Sequence, residues 1–239
     1  MPSTQCIPIP WDTNYQSALN TFISAVHSHI LALPGGVGQL DHVVVTGINY
    51  NTQENSQPHC NTSGCGYLGG SNTDIINWEA IVHGRDPACT GTPPPAVCTT
   101  DYNNAVNTAY NTIIGYWGTD FPTTHLASMF IDTAVFPFNS TSAIGLTLLN
   151  DVVSYSSTRS IVMDNGAQLT MPQLDPSILC YQGIGSGCSI TSNIAFQEVG
   201  PLGGSPSLCS SLASMLSTAA GDGSLYMEVY PFDITNCAL

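Results

Sequence analysis

Short apolar segments that end on polar or acidic residues recur along the chain. They span residues 42–48, 127–135, 161–165, 194–198 and 225–230. Each is rich in Val, Ile, Phe, Tyr or Met and is too short for a buried helix, which is typical of buried β-strands. Helix-length stretches separate most of these segments. This alternation of strand and helix predicts an α/β fold in which a parallel sheet carries helices on its outside.

Apolar residues at helical spacing predict helices between the strands. They are expected over residues 14–31, 72–83, 101–117, 143–155 and 206–219, and Asp101 is expected to cap the third of them. We find neither an internal repeat nor a linker, and the composition stays even throughout. Residues 1–239 are therefore predicted to form a single domain.

The charge balance excludes several classes of partner. Only 2 Lys and Arg residues oppose 16 Asp and Glu residues, which gives a formal net charge of -14. Binding to a phosphate backbone or to an anionic membrane surface depends on clustered Lys and Arg, so we expect neither nucleic acid nor membrane as a partner. The N-terminal residues have neither basic charge nor a long apolar core and do not resemble a signal peptide.

Cysteine usage predicts an extracellular protein. Six of the 9 cysteines form close pairs that bracket Gly-, Pro- or Ser-rich loops, as local disulfides do: Cys60/Cys65, Cys89/Cys98 and Cys180/Cys188. Cys6, Cys209 and Cys237 remain, so at least one thiol is free or bonded to another chain. His59 beside Cys60 keeps zinc binding as an alternative. The sequons at Asn61 and Asn139 add an expectation of glycosylation.

Carboxylates at the predicted strand ends indicate the chemistry. Enzymes commonly cleave glycosidic bonds with two carboxyl groups, one a general acid and the other a nucleophile or base. Glu54 follows the first predicted strand and Glu198 ends the fourth. Because parallel strands end at one edge of a sheet, both side chains are expected on the same face.

This arrangement resembles the retaining glycoside hydrolases built on (β/α)8 barrels, the superfamily of cellulases and β-galactosidases. In that family the acid/base Glu follows strand four, and the nucleophile Glu ends strand seven. Matched by order, VVVTGINYNTQE carries Glu54 as acid/base and NIAFQEVG carries Glu198 as nucleophile. MFIDTAVFP, IVMDNG and LYMEVYPFD correspond to strands five, six and eight.

The resemblance implies a TIM-barrel-like domain that corresponds to barrel strands four to eight. Strands one to three have no counterpart, so the sheet is expected to be a partial or open barrel, or to be completed by a second copy or a partner chain. The chain also departs from the family by Gln53 before Glu54, where Asn is usual, and by Tyr230 where a Trp often stands.

The predicted function is that of a secreted glycoside hydrolase that acts on a poly- or oligosaccharide by a two-glutamate retaining mechanism, without metal or cofactor. Glu54 and Glu198 are the predicted catalytic residues. Further polar residues at or beyond strand ends are expected to bind substrate: Asn49, Tyr50, Asp132, Asn165, Gln197 and Glu228.

Two alternatives stay open. In the first alternative, the chain is a non-catalytic extracellular protein that binds carbohydrate or assembles with copies of itself. The odd cysteine count and the missing strands favour this alternative. In the second it is a metal-dependent hydrolase that uses Asp and His side chains, with His59 and His125 as the histidines of interest.

Overall fold

The strands lie in two sheets. The computed structural model describes residues 9–47, 60–61, 64–65, 96–130, 144–167, 181, 191–198 and 206–237. Within these ranges the strands are β1 (His42–Val44), β2 (Cys60–Asn61), β3 (Gly64–Cys65), β4 (His125–Phe130), β5 (Ser160–Ala167), β6 (Asn193–Glu198) and β7 (Tyr226–Glu228). β2 and β3 form an antiparallel ladder. The other five form one parallel sheet in the order β1-β4-β5-β6-β7.

The five apolar segments of the sequence all supply strands of this parallel sheet, so the predicted strand order and direction are confirmed. The sheet is curled into a half-barrel. The spatial order of the five strands follows their order along the chain, which is the connectivity expected of successive strand–helix units.

The described helices are α1 (Thr13–Leu31), α2 (Ala96–Asp120), α3 (Ile144–Tyr155), α4 (Pro206–Gly221) and α5 (Pro231–Cys237). Four of them match predicted helices, and the predicted helix over 72–83 lies outside the described residues. The side chain of Asp12 caps α1 by accepting a hydrogen bond of 2.9 Å from the backbone N–H of Tyr15.

Several predicted boundaries are wrong, and the structure gives the reason for two of them. α2 begins at Ala96, so Asp101 lies inside the helix and does not cap it. Three prolines stand directly before Ala96, and proline is tolerated where a helix begins. β1 ends at Val44, before the predicted Ile48, and Gly47 follows with a φ of 143°. A Cβ at Gly47 would lie 2.6 Å from the side chain of Leu19, so α1 closes against the chain here.

The main hydrophobic core lies between the helices and one face of the parallel sheet. Alternate strand residues such as Leu126, Val162 and Phe196 are fully buried there, and they pack against helix residues such as Ile113 and Val152. Period-two alternation explains why every second strand residue enters this core.

The opposite face of the sheet carries a smaller apolar cluster made from strand residues. Ala127, Ile161, Met163 and Ala195 are fully buried in it, with Val44 and Tyr226 at its border. We call this side the concave face, because side chains of the two edge strands meet across it, as described below. In a flat sheet β1 and β7, four strand spacings apart, would lie about 19 Å from each other.

The strands are also staggered around the curl. Val44 aligns with Ala127 on β4, which aligns with Ile161 on β5, which aligns with Asn193 on β6. Tyr226, in contrast, aligns with Ala195 on β6. His42 therefore lies four positions before the level of Tyr226, two from His42 to Val44 and two from Asn193 to Ala195. Such a stagger accompanies the closing of sheets into barrels.

A disulfide between Cys209 and Cys237 joins α4 to α5, on either side of β7 in the chain. Cys60 and Cys65, a predicted pair, are aligned partners in the β2–β3 ladder. Cys89, Cys180 and Cys188 lie outside the described residues. A disulfide is consistent with the predicted extracellular location, since such bonds persist in oxidising compartments.

Among the described helices, none is long and apolar enough to cross a membrane.

Candidate functional site

The structure describes part of the predicted site. Glu198 is the last residue of β6 and Asn165 lies within β5, and the description of both is limited to the backbone. Four predicted residues lie outside the described ranges: Asn49, Tyr50, Glu54 and Asp132. The pairing of Glu54 with Glu198 therefore stays a prediction.

Gln197 and Glu228, both predicted to bind substrate, lie together. They are aligned partners at the carboxyl ends of β6 and β7. The Nε2 of Gln197 donates a hydrogen bond of 2.8 Å to Oε2 of Glu228. Glu228 is half-buried and ends its strand, whereas the sequence placed it in the middle.

The second carboxylate oxygen of Glu228 contacts a residue from the far edge of the sheet. His42, at the start of β1, lies with Nε2 3.3 Å from Oε1 of Glu228. Its ring stacks on that of Tyr226, with centroids 4.2 Å apart and an angle of 17° between the planes. We call His42, Gln197, Tyr226 and Glu228 the concave cluster. The curl and stagger of the sheet bring its members together across the concave face.

The surroundings of the cluster determine the ionisation states of Glu228 and Tyr226. The hydrogen bond with His42 is the main cause that lowers the pKa of Glu228; the bond from Gln197 also lowers it, and burial opposes them. Burial raises the pKa of Tyr226, and the nearby charges of Glu228 and Asp41 raise it further. At neutral pH the cluster therefore presents an ionised carboxylate beside a neutral phenol.

This arrangement suits the recognition of a polar, neutral ligand such as a sugar. An anchored carboxylate and an amide offer hydrogen-bonding groups of fixed direction, and an aromatic ring offers an apolar face. The side chain of Glu228 is 36% exposed, so a ligand on the concave face can reach it.

His42 and Tyr226 were missed as site residues by the sequence reasoning. Tyr226 stands two positions before Glu228 in one strand, so period-two alternation was a signal that both face the same side. His42 carried no such signal, because 186 positions separate it from Glu228. Its place depends on how strongly the sheet curls.

The histidine of the metal-dependent alternative, His125, opens β4 and lies with Nδ1 3.0 Å from the carbonyl oxygen of Asp41. In the described part of the chain, no three His, Cys, Asp or Glu side chains are grouped so that they could hold a metal ion. His59 lies outside that part.

A cavity of about 260 Å³ opens at the other end of β6. It is lined by Ser157, Tyr181, Thr191, Ser192 and Asn193. Several of these polar groups already bond within the protein: the hydroxyl of Tyr181 donates to Asn150, and that of Ser192 to the carbonyl of Ser160. These bonds tie residues of the cavity lining to α3 and β5.

No protein-family model matches the chain, and no curated protein or solved structure matches it either. The assignment of a function therefore depends on the sheet and on the concave cluster.

Proposed function

We propose that this chain is an extracellular glycoside hydrolase that binds a poly- or oligosaccharide on the concave face, at the carboxyl ends of β5, β6 and β7. The observation that carries the proposal is the bond between Gln197 and Glu228, which fixes an ionised carboxylate at that edge of a curled parallel sheet. In parallel α/β sheets substrates bind beyond the carboxyl ends of the strands.

In the proposed reaction Glu198 attacks the anomeric carbon while Glu54 donates its proton to the departing glycosidic oxygen. Water then attacks the covalent glycosyl-enzyme, Glu54 accepts the water proton, and the freed sugar leaves Glu198 as a carboxylate. Both roles come from the resemblance to the retaining barrel hydrolases.

Glu228 has a supporting role in this proposal. The anomeric carbon gains positive charge in the transition state, and a fixed negative group nearby stabilises that charge. Glu228 is suited to this because the hydrogen bonds with His42 and Gln197 hold it in its ionised form. It also accepts hydrogen bonds from sugar hydroxyls.

The test is hydrolysis of a panel of aryl glycosides and polysaccharides by the purified protein and its variants. We expect Glu198→Gln to reduce turnover to background and Glu54→Gln to lower kcat by about 10²–10⁴-fold. Asp151→Asn is the matched control, since this half-buried carboxylate belongs to α3 and bonds to Asn111 on α2. Undiminished turnover by Glu198→Gln would exclude the proposed nucleophile.

A second candidate function is self-assembly or carbohydrate binding without catalysis. The observation that favours it is the edge strand β7, which lies in the chain between Leu225 and Ile234 of α5; these two side chains are 48% and 47% exposed. An edge strand next to exposed apolar side chains favours association with another chain. Sedimentation of the wild-type protein and of Leu225→Glu tests it; a monomer at every concentration contradicts assembly, and a glycan that binds without being hydrolysed favours the binding function.

A further inference from the structure

His42 has an acidic neighbour at each ring nitrogen. Nε2 lies 3.3 Å from Oε1 of Glu228, and Nδ1 lies 3.4 Å from Oδ2 of Asp41. A neutral imidazole carries one N–H and leaves its other nitrogen as an acceptor. That acceptor would face a carboxylate oxygen, which is itself an acceptor. The tautomer with its N–H at Nε2 donates to Glu228.

The ring of His42 is also held in one plane. It stacks on Tyr226, which stands on the same strand as Glu228 and two residues before it. The hydroxyl of Tyr226 points to Sδ of Met163, 3.6 Å away, so the phenol is anchored on the floor of the concave face. The His42 side chain is 18% exposed, against 65% for Asp41. The orientation of the His42 ring is thus set by packing.

The carboxylate of Glu228 is held at both oxygens. Gln197, on the neighbouring strand, donates to Oε2, and His42, from the opposite edge of the sheet, reaches Oε1. Two donors from different strands fix the plane of the carboxylate, whereas a single donor would let it rotate.

We propose that His42 is a positioning residue: it spans the concave face and, by donating from Nε2 to Oε1 of Glu228, fixes the orientation of Glu228 toward the bound substrate. The substrate part of this inference rests on the proposed function; the hold of His42 on Glu228 does not.

The electrostatics agree with this role. The bond with His42 is the largest cause of the lowered pKa of Glu228. The described titratable groups around His42 are Asp41, directly before β1, its aligned partner His125 on β4, and Tyr226 and Glu228 on β7. Because burial keeps Tyr226 neutral, the two carboxylates are the negative charges among these groups.

The test is a carboxyl NMR titration of Glu228. The sequence contains four glutamates, at positions 54, 79, 198 and 228. Protein labelled with ¹³C at the glutamate side-chain carboxyl thus gives few signals, and single Glu→Gln variants assign them. We expect wild-type Glu228 to titrate below 4.5, the usual glutamate value. His42→Gln should move the pKa of Glu228 up toward that value, because the hydrogen bond with the imidazole is gone.

His29→Gln is the matched control, since His29 is exposed in the last turn of α1. It should leave the titration of Glu228 unchanged. An unchanged titration in folded His42→Gln would overturn the positioning role. A crystal structure of the wild-type protein is a second measurement that needs no variant: it should keep Nε2 of His42 beside Oε1 of Glu228, and a Glu228 turned away from His42 would also overturn the proposal.

Kinetics separate the two proposals. On any glycoside that the wild-type protein hydrolyses, His42→Gln should lower kcat by about tenfold, as loss of a charge-assisted hydrogen bond does, with less change in KM. If the wild-type protein hydrolyses no glycan, the proposed function fails, and the NMR titration still decides whether His42 holds Glu228.

Discussion

The two faces of the parallel sheet are built from alternate residues of the same strands, yet they differ in chemistry. In β6 the side chains of Ile194 and Phe196 are fully buried toward the helices, while Ala195 and Gln197 face the concave side. The helix-facing residues are large and apolar. Those that β6 presents on the concave face are small or polar, and Ile161 and Met163 of β5 add apolar side chains next to them. One strand thus serves stability with one set of residues and the candidate site with the other.

Two half-buried carboxylates show the same contrast. Asp151, on α3 in the helical layer, accepts one hydrogen bond of 2.9 Å from the amide of Asn111, and burial raises the pKa of Asp151 to about 6. Glu228, on the concave face, has a partner at each oxygen, and its pKa is lowered. The number and charge of the partners therefore decide whether burial or hydrogen bonding determines the sign of the shift.

The largest expected effect contrasts the two faces directly. Phe196→Ala should lower the free energy of unfolding by about 3–5 kcal/mol, because it leaves a cavity in the helix-facing core. Tyr226→Phe, on the concave face, should cost less than about 1 kcal/mol, since the ring stack remains and only a weak bond to sulfur is lost. Urea unfolding measures both. Equal losses would show that the concave face contributes as much to stability as the helix-facing core.

A smaller effect, of the order of 1 kcal/mol, is expected from Asp151→Asn. Since the folded pKa of Asp151, about 6, lies above its ordinary value of 3.8, the folded protein holds this proton more tightly than the unfolded chain. The resulting stability is present below about pH 4 and is lost as the pH rises through 6. The variant should therefore be more stable than wild type at pH 7.

Thermal unfolding between pH 4 and 7 checks this, and the two proteins should converge at the acidic end. A variant that is less stable at pH 7 would contradict the destabilising role of the Asp151 charge.

The smallest effect, a few tenths of a kcal/mol, is expected from Glu228→Gln and has the opposite sign. The folded pKa of Glu228 is lowered, so its contribution is present above its ordinary value of 4.5 and is lost as the pH falls through the lower folded value. The variant should be slightly less stable than wild type at pH 7. Urea unfolding at pH 7 and pH 3 measures the difference in stability, which should be smaller at pH 3; an undiminished difference there would show that it does not arise from the carboxylate charge.

The sheet was predictable because each strand is a short apolar run and its neighbour in space is also its neighbour along the chain. Boundaries that depend on tertiary contact were not predictable. β1 ends early where Leu19 of α1 closes on Gly47, and no local pattern records that approach. The start of α2 was placed too late because Asp101 matches a helix cap in sequence although it lies within the helix.

Half of the concave cluster was predictable from the sequence. Gln197 stands near the end of one apolar run and Glu228 within another, and side chains near strand ends of a parallel sheet were expected to meet. Their contact with His42 depends on the curl of the whole sheet, which sums small rotations over five strands. Periodicity within a single strand contains no information on that sum.

The separation of 186 residues between His42 and Glu228 has a consequence for how the protein is made. A chain that grows from its N-terminus can pair β1, β4, β5 and β6 in the order in which they leave the ribosome, since each strand lies beside its predecessor. β7 comes last, and Cys209 can join Cys237 only after it. The helix-facing core therefore begins to form during synthesis, whereas the concave cluster assembles only when translation has passed β7.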